Sequence, residues 1–491
     1  LPPAIAGGRR SPIRYNTFVK IVHDTTLITP SDAGVSTLPN HSLLFHAGQV
    51  AELGPAANYR REIDDGRFDE VIDGRRRITI PGLINTHHHL YQSLTRCLTV
   101  VQNRRLFDWL VGLYPYWRGL DYKAVNVAAR ASIAELLLHG CTTTSDHFYM
   151  KSRDAAVQME AVLDAAETLG LRMHLCRGSM TLGESNGGLP PDDCVEKDAD
   201  VLDDCRRVLE LFHDPADLSM RRIDLAPCSP FNCTRELLRD TVALARAHET
   251  VLLHTHLAET LEEERFCLER YGCRPVQYLA DLDFLGPDVY LAHCVYLNDD
   301  EIKQFAETGT RVSHCPTSNM RLSSGIAPIQ KLLAAGVRVG LAVDGASSND
   351  GGNLLAEARQ ALLAARARSA MAHAAGHDAI KPSENDRLLT AAEAFNLATT
   401  GGAKCLRRPV LGHLNPGAAA DFAMFRSDDV ALAGAYAQDP LASLILCDAP
   451  RADSVYVAGK EVVRKGRIAA LDEYKLAEQL NKLVTERFRE L

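Results

Sequence analysis

Three histidines stand in a row in ITIPGLINTHHHLYQ, namely His87, His88 and His89, at the end of an apolar run containing Ile78, Ile80, Leu83 and Ile84. The run reads as one buried strand, and in an extended chain successive side chains point to opposite faces. His87 and His89 therefore converge on one point while His88 turns away. Such an imidazole pair grips a metal ion if further ligands arrive from elsewhere. His256 in LLHTHLAE and Asp344 in GLAVDG are candidates to complete the set. Imidazole and carboxylate donors suit zinc, with one position left for a water whose pKa then falls toward neutrality. Glu259, three residues past His256, is placed to take a proton from that water and pass it to a leaving nitrogen. His293 in YLAHCV is placed to polarise the attacked centre or hold the hydroxide. His254 shares the parity of His256 but lies a layer deeper, and is assigned to packing. His314 in VSHCPTSNM is a candidate substrate group with an equally good core role. Each piece alone also has a bland reading, Asp344 before Gly345 as a turn and Glu259 as a helix cap before ETLEEER. Their weight comes from sharing one end of one architecture.

That architecture is an alternation. Apolar strands end at TIPGLINTHHH, HGCTTTSDHF, LRMHLCRGS, RRIDLAPCS, TVLLHTHLAE, DVYLAHCV, TRVSHCPTS and VRVGLAVDG, with helical stretches such as KAVNVAARASIAELLLHG between them. Eight strand-then-helix units predict an α/β fold, a (β/α)8 TIM barrel, whose active rim is the C-terminal end of the strands. Short strands at both chain ends predict a small β-sandwich over residues 15–79 plus 408–470, around a barrel at 80–407. A tail at 1–14 and a C-terminal helix at 471–491 complete the expected layout. The loop LTVVQNRRLFDWLVGLYPYWRGLD carries both tryptophans, Trp109 and Trp117. Trp109 is a candidate to cover a flat ligand, with ordinary packing or a subunit contact the alternative. The polar loop TLGESNGGLPPDDCVEKDAD reads as a mobile flap.

A formal charge of -9 argues against a nucleic-acid surface, and no apolar run reaches the ~20 residues of a membrane span. The opening LPPAIAGGRRSPIRYN lacks the apolar core of a signal peptide. Thirteen cysteines scattered through apolar segments, with no Cys-x-x-Cys pair, suit reduced thiols in a cytoplasmic protein.

The set NTHHHLYQ, HTHLAE, AHC, HCPTSN and VDGASSND resembles the amidohydrolase superfamily, in its nucleobase and triazine aminohydrolase branch. The resemblance spans nearly the whole chain. It implies metal ligands at His87, His89, His256 and Asp344, and catalytic roles for Glu259, His293 and Asp344. It implies one divalent ion, Zn2+ or alternatively Fe2+, because the fourth strand ends DLAPCSPFNC without the lysine that bridges two metals in binuclear members. It also implies substrate contacts at Gln92 and Arg177, with Trp109, His314 and Asn319 as further substrate-binding candidates. The wording around the first strand is similar to that of bacterial 8-oxoguanine deaminases, which yield urate and ammonia and accept isocytosine or guanine. Hydroxyatrazine aminohydrolases share much of it, and a non-catalytic barrel acting as an assembly protein is the alternative of another class. The expected partners are a small nucleobase and further copies of the chain in a homodimer or higher homo-oligomer.

Overall fold

The computed structural model describes residues 18–31, 34–151, 155–375, 388–448 and 450–489. The tail expected at 1–14 lies outside them. Eight parallel strands run β1 (Leu83–Asn85), β2 (Cys141–Phe148), β3 (Arg172–Ser179), β4 (Arg221–Pro227), β5 (Leu253–Leu257), β6 (Val289–His293), β7 (Arg311–His314) and β8 (Val339–Leu341). They pair in sequence order. The Thr86 amide donates to the Leu341 carbonyl at 3.0 Å, bringing β8 back against β1 so that the barrel nearly closes. Nearly every strand residue is buried, because helices cover the outer face and side chains fill the interior. The connecting helices begin where the sequence offers a cap. Thr260 accepts from the Glu263 amide to start Leu261–Tyr271, and Gly272 stops that helix at φ 73°.

The apolar run before the histidines is two strands rather than one. Arg77–Pro81 pairs antiparallel with Phe422–Arg426 in a different sheet. The chain then crosses to β1 at Gly82, where a Cβ would lie 2.0 Å from Thr142 Oγ1. A continuous apolar pattern carries no mark of a change of sheet; only the absent side chain at Gly82 does.

Both chain ends build the second sheet, in the order Arg467–Ile468, Lys460–Arg464, Ser454–Val457, Phe422–Arg426, Arg77–Pro81, Lys20–Ser31, Gly34–His46, Gln49–Pro55, with Glu70–Asp73 beside Lys20–Ser31. Phe45 and Phe422 stand three strands apart along it, which in a flat sheet is roughly 14 Å. Their rings are 5.2 Å apart, and Tyr456 stacks on Phe422 at 4.6 Å. The sheet therefore curls over its own apolar core of Val22, Leu27, Leu43, Phe45, Phe422 and Met424.

Candidate active site

The rim at the C-terminal ends of the strands gathers the histidines. His87 and His89 follow β1, His256 closes β5, His293 ends β6 and Asp344 follows β8. All five are buried. The Nε2 atoms of His87 and His89 each lie 3.3 Å from Asp344 Oδ1, and Nε2 of His89 lies 3.2 Å from Nε2 of His256. His88, as parity requires, joins neither this convergence nor the cavity beside it.

Hydrogen bonds at the far side of the rings say what those Nε2 atoms carry. His89 Nδ1 sits 2.6 Å from the His147 carbonyl and His256 Nδ1 2.7 Å from the Cys228 carbonyl. A carbonyl only accepts, so each Nδ1 holds the proton and each neutral ring turns a bare lone pair inward. Burial keeps both rings neutral by depressing their pKa. Two lone pairs 3.2 Å apart repel unless something positive lies between them. Among the described residues, His87 Nε2 and Asp344 Oδ1 have no hydrogen-bond partner although both are buried. Four ligands on a tetrahedron with bonds of about 2.0–2.1 Å stand roughly 3.3–3.4 Å apart. The His87–Asp344, His89–Asp344 and His89–His256 separations match that edge length, and imidazole and carboxylate donors suit one divalent ion.

Non-glycine residues with positive φ cluster at this rim: Ala258 (50°), His293 (73°), Cys294 (50°) and Asp344 (61°). Such backbone needs firm support. Glu263 provides it on the β5 side, its two carboxylate oxygens accepting from the Ala258 and Glu259 amides at 2.9 and 2.8 Å. Glu259 is thereby held just before the helix, outside its first turn. Its Oε1 accepts from Ser324 Oγ at 3.3 Å and its Oε2 lies 3.6 Å from His293 Nε2. Burial raises the Glu259 pKa, which suits a carboxylate that must both take and return a proton. Burial alone would lower His293, but the carboxylates of Glu259 and Asp344 outweigh it and raise its pKa.

A cavity opens onto the cluster, lined in part by His89, His256, Glu259, His293 and Asp344. Leu106, Trp109, Leu110, Tyr149, Phe231 and Leu322 supply its apolar lining, with Gln92, Cys228 and Asn232 as further polar points. Gln92 reaches the wall because Gly345 has no side chain; a Cβ there would sit 1.9 Å from Gln92 Oε1. That Oε1 is buried without a hydrogen-bond partner among the described residues.

Three sequence-based candidates lie off this wall. The Arg177 guanidinium is buried and pairs with Glu196 at 2.8 Å and Asp204 at 2.6 Å. Its neighbour Cys176 points into the barrel, where it meets Ser145 and Tyr290, so alternation turns Arg177 outward to the covering helix Asp198–Phe212. The arginine ties down the loop after β3, the segment read as a flap. Asn319 accepts from His293 Nδ1 at 2.9 Å and so orients that ring. His314 is buried beside the rim, its imidazole pushed down to about 3 by burial.

Sequence reasoning missed two histidines. His147, near the end of β2, stacks on His256 at 4.8 Å and belongs to a convergent set with His87, His89 and His256. His254, assigned to packing, is in contact with His87: its Nε2 lies 2.7 Å from His87 Nδ1. Tyr149, Phe231 and Asn232 also went unmarked, although Tyr149 directly follows β2 and the other two lie in the loop after β4, where the barrel rule places functional side chains.

A model of the amidohydrolase family matches residues 78–467. The chain is 43% identical over 430 residues to an 8-oxoguanine deaminase from Pseudomonas aeruginosa, covering 88% of this chain and 91% of that one. It is 36% identical over 460 residues to a hydroxydechloroatrazine ethylaminohydrolase from Pseudomonas sp., covering 92% of each. Among solved structures, an atrazine chlorohydrolase from Arthrobacter aurescens complexed with zinc superposes with a TM-score of 0.86 at 32% identity, covering 95% of this chain and 100% of that one.

Proposed function

The chain belongs to the amidohydrolase family and is a hydrolase acting on C–N bonds, and from that premise we propose that it deaminates a 2-amino-oxopurine, 8-oxoguanine, to urate and ammonia. The observation that carries the reading is the convergence of His87, His89, His256 and Asp344 beside Glu259 on one cavity wall. These four residues would hold one divalent ion, taken here as Zn2+. Such an ion supplies the Lewis-acid charge that makes water a nucleophile near neutral pH.

The chain's own groups do the rest. Glu259 accepts a proton from the attacking water and delivers it to the ring nitrogen beside the amino-bearing carbon. A C–O bond forms while the ring C=N bond becomes single. Glu259 then relays the second water proton to the amino group, the C–N bond breaks and ammonia leaves. Water and the amino-heterocycle are thereby converted to the oxo-heterocycle and ammonia, with no redox change. His293, oriented by Asn319 and facing Glu259, stabilises negative charge developing at the attacking oxygen. Trp109 and Phe231 bound a slot suited to a flat ring, and Gln92 offers an acceptor for a ring N–H at its edge.

The 36% identity to a triazine ethylaminohydrolase favours one second reading, an amine-releasing hydrolase of a hydroxytriazine. Metal-loaded protein offered 8-oxoguanine, isocytosine, guanine and hydroxyatrazine separates the two. The expected result is one urate and one ammonia per 8-oxoguanine consumed. Turnover confined to hydroxyatrazine overturns the purine assignment.

A further inference from the structure

The ligand histidines differ in what orients them. His89 and His256 each donate Nδ1–H to a main-chain carbonyl, which can only accept, so their inward lone pairs are secured by backbone alone. Among the described residues, His87 has no such carbonyl. Its Nδ1 faces an imidazole nitrogen, Nε2 of His254, at 2.7 Å, and an imidazole nitrogen can either donate or accept.

The other side of His254 resolves the choice. Its Nδ1 lies 2.7 Å from the Tyr290 carbonyl, so the ring proton sits on Nδ1 and Nε2 keeps a lone pair. His87 Nδ1 must then be the donor, and His87 Nε2 is left bare toward Asp344. The ring of His254 is immobilised by stacking on Tyr290, 4.1 Å between centroids at 16°. Tyr290 is in turn anchored inside the barrel through its hydroxyl to Asp224 and Ser145 at 3.1 and 3.0 Å. The relay crosses three strands, β1 to β5 to β6.

We propose that His254 is a positioning residue for the metal site: by accepting Nδ1–H of His87 it holds that ligand in the tautomer able to bind a cation. Without it, His87 can place its proton on Nε2 and hydrogen-bond Asp344 Oδ1, 3.3 Å away, which closes two ligands to the ion. The proposal rests on the metal site of the preceding section and deepens it. Groups that orient a ligating histidine typically contribute 10- to 100-fold in metal affinity.

The test uses Co2+ binding to the metal-free full chain, measured by chelator competition and by the visible absorption of the Co2+ protein, with the melting temperature of each metal-free variant as the fold control. His254→Phe keeps an aromatic ring against Tyr290 but accepts nothing, and is expected to weaken Co2+ binding about 10- to 100-fold and shift the absorption band. His254→Gln retains an acceptor near the Nε2 position and is expected to recover most of that loss. If His254→Phe does not fold, His254→Asn decides, because its shorter amide falls short of His87 and must lose what Gln keeps. Parental affinity and spectrum in the Phe or Asn variant overturns the proposal, as does a Gln variant no better than they are. Absence of Co2+ binding by the parent chain overturns the metal site itself, a separate failure from any reordering of the variants.

Discussion

Replacing Gly345 by alanine tests whether the cavity wall is built as tightly as its geometry implies. Gly345 is not in the left-handed region, so alanine meets no backbone penalty there and the cost is collision alone. Its Cβ would lie 1.9 Å from Gln92 Oε1, 2.4 Å from Cδ and 3.0 Å from Nε2. Comfortable contacts lie at about 3.5–4.0 Å, so the amide must retreat by roughly 1.5 Å. Gln92 is buried, yet the clash falls at the tip of its side chain, so the stability cost should sit at the low end of overpacking, about 1 kcal/mol. The catalytic cost should be larger, since a misplacement of ~1 Å in a substrate-orienting group can lose about 10²-fold in rate. The assay is kcat/KM on the deaminated ring together with metal content and melting temperature, for Gly345→Ala, Gln92→Ala and the double variant. The expected pattern is a fall of about 10²-fold in Gly345→Ala with metal retained, and a double variant no worse than Gln92→Ala, because the collision has lost its partner. A double variant whose loss equals the product of the two single losses would refute the reasoning, and so would full activity in Gly345→Ala.

Glu259→Gln preserves shape and the grip of Glu263 on its amide but cannot carry the proton, so turnover should fall about 10²- to 10⁴-fold with the metal still bound; near-parental turnover removes Glu259 from the mechanism. Because burial raises the Glu259 pKa and the base must be ionised, activity is lost as pH falls through a value above the ~4.3 of an ordinary glutamate; a kcat/KM profile still flat at that pH contradicts this. Arg177→Gln leaves Glu196 without its arginine in a buried site, and should cost about 3 kcal/mol in urea unfolding while leaving KM of the folded enzyme unchanged; a raised KM at unaltered stability would restore the arginine to substrate binding. Asp146, whose Oδ1 accepts from the Leu90 amide, is pushed up to about 7 by burial. The native state therefore keeps a proton that the unfolded chain releases above about 3.9, and stability falls by up to about 1.4 kcal/mol per pH unit until the group ionises near 7. Asp146→Asn should flatten that dependence between pH 5 and 7, and parallel slopes in the two proteins would show that another group titrates.

The eight barrel strands were legible because each is an apolar run closed by polar residues, a pattern that depends only on local burial. The chemistry-bearing types at their ends were legible for the same reason: His87, His89, His256, Glu259, His293 and Asp344 sit where a strand stops and the rim begins. Alternation also placed His88 off the site. It did not place Arg177, because the parity of β3 relative to the barrel axis is set by Cys176 meeting Ser145 and Tyr290 across the interior. Nor did it reveal the crossing at Gly82, which depends on Thr142 of another strand. The role of His254 was equally hidden, since a histidine one layer below the rim reads as core until a second histidine is found 2.7 Å away. The sequence by itself thus determined the alternation of the barrel elements and which reactive groups they carry to one end. Tertiary structure alone decided which of those groups meet, because contacts between strands far apart in the chain select tautomer, orientation and neighbour, and no local pattern encodes them.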